Sequence, residues 1–293
     1  MRHDCNFAAF ILTHKRPHKV DTYNTLKRCG YTGKIYIVID NTDPTEDEYR
    51  KKFGDHVLVF NKQEIANETD QGDNFNDLRT TTHARNAIFK FAEELGVCHF
   101  IALDDDYKTF DFRFNRLFSY FPPTKRIMNL DKIFDELVQF HQVSGCLSIA
   151  MAQGGDFIGG KKSKMAEAIK LNRKCMNTFV CSTERKFKFI SRLNEDVNTY
   201  LTLGNRGGLF FTANQVSIVQ ATTQKTAGGM TETYKDNGTY VKSFFSVMYQ
   251  PSSVKVSVMN TENKRLHHLI SWRHTVPMIV RESLRKGVSH AKA

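Results

Sequence analysis

Asp104, Asp105 and Asp106 stand side by side where an apolar run, residues 98–103, stops. Adjacent carboxylates repel one another, and each costs several kcal/mol if it is buried unpaired. A hard divalent cation resolves the conflict. Mg²⁺ and Mn²⁺ take carboxylate oxygens and bridge to phosphates. The plain alternative is a solvated acidic turn.

The surrounding pattern decides where those acids sit. Residues 6–12, 34–40, 56–60 and 97–103 read as buried strands. Between them lie helix signals: Pro17 and Gly30 bracket one helix, Pro44 and Gly54 a second. A third follows a polar loop over 61–79. Its apolar positions 84, 87, 88, 91, 92 and 95 keep helical spacing as far as Gly96. Strands alternating with helices predict an α/β fold with a mostly parallel central sheet and right-handed crossovers. Ligands bind such sheets beyond the carboxyl ends of the strands. Residues 13–16, Asp40 and the acidic triplet all fall there, on a rim outside the core. No GxGxxG follows the first strand and no GxxxxGK[ST] occurs. The nucleotide site these positions imply is thus built from strand-end side chains.

Bulk numbers narrow the partners. The chain has 293 residues, with 42 Lys and Arg against 31 Asp and Glu, a net charge of +11. That excess favours a polyanion: nucleic acid, nucleotide phosphates or an anionic membrane. No stretch approaches the ~20 apolar residues needed to cross a bilayer. Six cysteines, at 5, 29, 98, 146, 175 and 181, form no CxxC pair. Cys98 and Cys146, both in apolar stretches, read as small buried thiols of a reducing compartment, so the expected location is cytoplasmic.

The pattern resembles a GT-A glycosyltransferase. Four elements carry the resemblance in the family's order: "ILTHKRP" after the first strand, Asp40 after the second, "ARN" on the helix, and "IALDDDY" as the DxD element. The resemblance implies a GT-A-like, Rossmann-type sheet flanked by helices, with a smaller acceptor-side region. Residues 1–110 would be the nucleotide-sugar-binding half. Residues 111–293 would be the acceptor and DNA-binding half, packed with it as one continuous domain. Thr13 and Arg16 would flank the uracil and diphosphate of a UDP-sugar. Asp40 would meet the base or ribose, and Arg85 and Asn86 the diphosphate or base. Asp104 and Asp105 would serve the donor, and Asp106 with Asp104 would hold Mn²⁺ or Mg²⁺.

Beyond the triplet, Gly154 and Gly155 would let the backbone approach a sugar; a simple turn is the alternative. Asn194-Glu195-Asp196 matches the family's xED element, whose Asp is the base in inverting members. Base catalysis asks for a carboxylate within reach of the acceptor hydroxyl. A helix-capping role is the alternative, and Glu195 is the neighbouring candidate. The family often returns a C-terminal His to the metal. His268 or His267 would fill that place, and only one, because adjacent strand residues face opposite ways.

More narrowly, the chain resembles phage DNA-base glycosyltransferases encoded beside ten-eleven-translocation or J-binding-protein dioxygenases. These put sugars on 5-hydroxymethylpyrimidines. The motifs "HARNAIF", "AQGGD", "LNEDVNTY" and "HHLISWRHTVP" extend this likeness from about 8 to 280. The implied partner is double-stranded DNA with hydroxymethylated bases. Lys161, Lys162, Lys164, Arg173 and Lys174 lie in a basic stretch suited to tracking its phosphates. Rival readings are a GT-A enzyme acting on polysaccharide or protein, and a metal-dependent nuclease or nucleotidyltransferase.

Overall fold

The computed structural model describes residues 6–157, 159–163, 166, 175–220, 233, 236, 238, 240–259 and 265–275. The first four strands are β1 (Phe7–Leu12), β2 (Lys34–Asp40), β3 (Val57–Phe60) and β4 (His99–Asp104). They pair in parallel. Each is apolar on both faces, as a sheet covered on both sides requires. Alternate residues go to opposite cores. Ala9, Ile11, Ile37 and Leu103 join one cluster, while Ala8, Phe10, Val38 and Ala102 join the other.

Four helices connect these strands: α1 (Asp21–Arg28), α2 (Glu46–Phe53), α3 (Lys62–Asn67) and α4 (Thr82–Glu94). Pro17 opens a short 3₁₀ turn before α1, and Gly30 follows its end at φ 81°. A Cβ at Gly30 would meet the Met128 carbonyl oxygen at 2.3 Å, so glycine is required twice over. The stretch 61–79, read as a polar loop, in fact contains α3. Asn61 caps it by accepting from the backbone N–H groups of Gln63 and Glu64.

The sheet continues through β5 (Tyr107–Phe112), β6 (Ser148–Gln153), β7 (Phe179–Ser182) and β8 (Phe210–Gln220). Its order is β3-β2-β1-β4-β7-β6-β8-β5. β5 and β7 run antiparallel to their neighbours, and the other six strands share one direction. Helix α5 (Leu130–Ser144) precedes β6, and α6 (Glu195–Asn205) precedes β8. A separate ribbon of β9 (Val254–Met259) and β10 (Arg265–Ile270) packs on α7 (Val241–Tyr249).

One cysteine expectation is corrected. Cys98 is disulfide-bonded, while Cys29, Cys146, Cys175 and Cys181 are free and buried. The Cys98 N–H donates to the Asn6 carbonyl at 3.1 Å, just before the β1–β4 pairing begins. Among the described residues, no helix is long and apolar enough to cross a membrane.

Candidate active site

The carboxyl ends of β1, β2 and β4 open into a cleft of about 350 Å³. Its walls include Thr13, Arg16, Asp40, Asp104, Asp105 and Asp106, the rim residues expected from sequence. His14, Lys15, Lys62, Arg79 and Thr81 also line it.

The acidic turn is pinned from below by α1. Thr22 Oγ1 donates to the Asp104 carbonyl at 2.6 Å and accepts from the Tyr107 N–H at 2.9 Å. The Thr22 N–H donates to the Asp105 carbonyl at 3.1 Å. Each carboxylate then has its own surroundings. Asp105 accepts from Thr13 Oγ1 at 2.6 Å and pairs with Arg16 at 3.3 Å. Burial pushes its carboxyl up to about 6, against the pull of Arg16. Asp104 Oδ1 accepts from Arg85 at 2.9 Å. Asp106 has no ion-pair partner among the described residues. Burial first, and Asp104 and Asp105 next, push it up to about 7 against the weaker pull of the more distant Arg16 charge. Its Oδ1 is buried with no hydrogen-bond partner. An orphaned carboxylate oxygen beside two further carboxylates is a site short of positive charge. It fits a hard divalent cation. Among the described residues, no preassembled group of three or more His, Cys, Asp or Glu ligands is present.

At the other end of the cleft, Asp40 is held on several sides. His14 Nδ1 lies 3.0 Å from it and Lys62 Nζ 3.3 Å, and Thr42 Oγ1 donates to it. Burial alone would raise this carboxyl. The hydrogen bonds of His14 and Thr42 with the Lys62 charge instead hold it well below the usual range. The site therefore presents a fixed anion and a neighbouring ammonium at the β2 end.

Arg85 joins the end of β4 to the start of α6. Its guanidinium is 2% exposed and lies over the Phe179 ring at 4.9 Å. It reaches Asp104 on one side and Glu195 Oε1, at 3.2 Å, on the other. Thr81 also donates to Glu195, at 2.6 Å. Asn86 does something different from the expectation. Its amide brackets the Phe189 backbone, accepting from N–H at 2.8 Å and donating to C=O at 2.9 Å. It is a strut between α4 and the segment before α6, outside the cleft lining.

The Asn194-Glu195-Asp196 turn starts α6 with Asn194 at φ 58° and no side-chain cap. Asn194 instead donates to Ser246 Oγ at 2.7 Å and lies 3.5 Å from His268 Nδ1. Asp196 is 8% exposed and accepts from the Val197 N–H at 2.8 Å. Glu195 is committed to Arg85 and Thr81, and neither acid lines the cleft. In β10 the two histidines alternate as expected, His268 buried and His267 half-buried. His268 lies against the Asn194 turn at the start of α6. Gly154 and Gly155 open a short 3₁₀ turn after β6, where a Cβ would meet nothing within 4 Å. No close approach demands glycine there, and both stand apart from the cleft lining. Lys161 and Lys162 are exposed, and Lys164, Arg173 and Lys174 lie outside the described residues.

Sequence reasoning missed Thr22, Tyr49, Lys62 and Thr81. Tyr49 accepts from the Arg16 N–H at 2.9 Å and shares a hydrogen bond with Thr13. None of the four carries a motif, because each matters only through a neighbour distant in sequence.

Comparison with solved structures finds glucosyl-3-phosphoglycerate synthase from Mycobacterium tuberculosis. Its complex with Mg²⁺ and UDP is 8% identical, with a TM-score of 0.46, covering 91% of this chain and 88% of that one. Its complex with Mn²⁺ and UDP-glucose is 9% identical, with a TM-score of 0.47, covering 91% and 87%. S. aureus TarS is 10% identical, with a TM-score of 0.44, covering 82% of this chain and 39% of that one. No residue's role rests on these likenesses. Among curated proteins none matches. Residues 7–229 match the family model of the TET-Associated Glycosyltransferases, most of the chain and all of the rim just described. The chain belongs to the TET-associated glycosyltransferase family, and it is a glycosyltransferase.

Proposed function

We propose that the enzyme moves a sugar from a UDP-linked donor to the hydroxyl of a 5-hydroxymethylpyrimidine in double-stranded DNA. The observation that carries the donor half is the strand-end cleft whose acidic turn leaves Asp106 Oδ1 buried and unpartnered. The net charge of +11 and the family's association with dioxygenases of the TET type support the DNA half.

Asp106 and Asp104 would hold Mn²⁺ or Mg²⁺, which when bound would supply positive charge at the departing diphosphate. The protein's own residues do the rest. Asp105 orients Arg16, whose guanidinium faces the cleft and attracts the diphosphate. Asp40 and Lys62 together present an acceptor and a donor to the nucleobase or ribose. The acceptor oxygen forms a bond to the anomeric carbon while the bond from that carbon to the diphosphate oxygen breaks. The electron pair leaves with UDP, and the hydroxyl proton goes to Asp196. Direct displacement inverts the anomeric centre.

The test is UDP release with three acceptors: hydroxymethylated duplex DNA, unmodified duplex of the same sequence, and a polysaccharide. Release that depends on the hydroxymethylated duplex supports the reading. Equal release with all three, or release with the polysaccharide alone, rejects it.

A further inference from the structure

The loop after β5 carries two large apolar side chains in open solvent. Leu117 is 84% exposed and Phe118 is 77% exposed. Soluble proteins seldom present such a pair at one tip without a partner for it. The tip is built rather than slack. Asn115 Oδ1 accepts from the N–H groups of Leu117 and Ser119, each at 2.9 Å. The Asn115 N–H donates to Ser119 O at 3.0 Å, and a β-bridge joins Phe114 to Tyr120. Phe118 sits at φ 55°, a left-handed backbone that a bulky residue adopts at a cost. The base of the loop is fixed to the sheet. Tyr120 stacks on Phe157 at 5.3 Å, and Arg113 lies over the same ring at 4.7 Å while donating to Ser217.

Phe157 belongs to the turn that leaves the carboxyl end of β6, a strand parallel to β1 and β4, so the base of the loop lies on the same edge of the sheet as the rim. That turn leads on to the exposed Lys161 and Lys162. The loop's own charges are of one sign. Arg116, Lys125 and Arg126 are exposed, and no Asp or Glu occurs from 112 to 130. Leu117 and Phe118 also line a groove with Ile133, Glu136, Leu137 and Phe140 of α5, so one carboxylate stands near the tip. The loop itself offers only cations, which matches a stacked polyanion. Apolar wedges inserted between base steps unstack them, and an enzyme that modifies a base must reach it outside the stack.

We propose that Leu117 and Phe118 form a wedge that enters duplex DNA beside the target base and holds the duplex unstacked, with Arg116 and Lys125 on the flanking phosphates. This rests on the DNA reading above. It adds that the wedge serves duplex acceptors specifically, since a single strand is already unstacked.

The experiment uses the full chain and an oligonucleotide with one 5-hydroxymethylcytosine beside 2-aminopurine, as duplex and as single strand. Wild-type binding should raise 2-aminopurine fluorescence in the duplex. Leu117→Ala with Phe118→Ala should abolish that rise and lower transfer to duplex about tenfold more than transfer to single strand. The conservative pair Leu117→Met with Phe118→Leu should restore both. Both side chains are mostly exposed, so the fold is not at risk. Equal loss on both DNA forms, or an unchanged fluorescence rise, overturns the wedge while leaving the DNA reading intact. So does a wild-type dimer in sedimentation that the alanine pair dissociates, for the tip would then be a self-association contact. Absence of transfer to either DNA form by the wild type rejects the DNA reading itself, and the wedge with it.

Discussion

At the scale of single residues, charge balance decides the roles. Asp105 has Arg16 and Asp104 has Arg85, but Asp106 has a buried oxygen and, among the described residues, no ion-pair partner. Asp106→Asn should abolish turnover and Mn²⁺ binding by calorimetry, with an unchanged thermal melt. Full activity in excess chelator contradicts the assignment. Asp196→Asn should lower kcat about 10²–10⁴-fold with UDP affinity near wild type. If Glu195→Gln is the slower variant, the base assignment moves by one residue. Arg85 is the third case. Arg85→Ala leaves Asp104 and Glu195 facing each other without their shared cation. Denaturant unfolding should show a loss of about 3–5 kcal/mol. The rim acids and Arg16 were legible in the sequence because strand ends in an α/β sheet face the ligand. Lys62 and Thr81 were not, since nothing local marks a residue whose partner lies 22 or 114 positions away. Asn86 was misplaced because a helix turn separates neighbours onto different faces. Arg85 points to the rim and Asn86 to Phe189.

At the scale of elements, the supports of the site can be tested one at a time. Thr22 ties α1 to the acidic turn, so Thr22→Val should cost about 1–3 kcal/mol and weaken Mn²⁺ binding along with stability. Loss of stability with unchanged metal affinity would detach α1 from the site. On α5, His141 is fully buried beside His99 and Arg185. Burial first, then the Arg185 charge, pushes its ring down to about 3. The unfolded chain therefore binds the extra proton between pH 6.5 and about 3, and the folded chain does not. The stability of wild type relative to His141→Gln is full above about pH 6.5. It should fall as pH drops below that, by about 1.4 kcal/mol per pH unit. Asp105 and Asp106 carry the opposite sign in part of this window, and taking the difference between the two proteins cancels them. A difference that stays constant from pH 7 to 5 contradicts the assignment. The strands β1 to β4 were readable because each is an apolar run closed by a turn signal. The reversed direction of β5 and β7 was not, because periodicity shows that a strand exists and not which way it runs. Helix α3 escaped notice because its six residues show only Ile65 and Ala66 as apolar, too few for a face.

At the scale of the whole molecule, charge carries the acceptor argument. Neutralising Lys161, Lys162 and Lys164 together should weaken duplex binding and flatten its dependence on salt, while UDP affinity holds. An unchanged salt slope points to an acceptor that is not a polyanion. The sequence made this excess visible, but not its distribution, because part of the basic stretch lies outside the described residues. The central claim, transfer of a sugar to a hydroxymethylated base in DNA, has one direct measurement. Duplex DNA carrying 5-hydroxymethylpyrimidines is incubated with the protein, Mn²⁺ and a panel of UDP-sugars, then digested to nucleosides for mass spectrometry. The expected product is a modified nucleoside heavier by one sugar residue. That product should be absent with unmodified DNA, with Asp106→Asn and with chelator. Hydroxymethyl nucleosides recovered unchanged under every donor, while the same protein glycosylates a non-nucleic-acid acceptor, would contradict it.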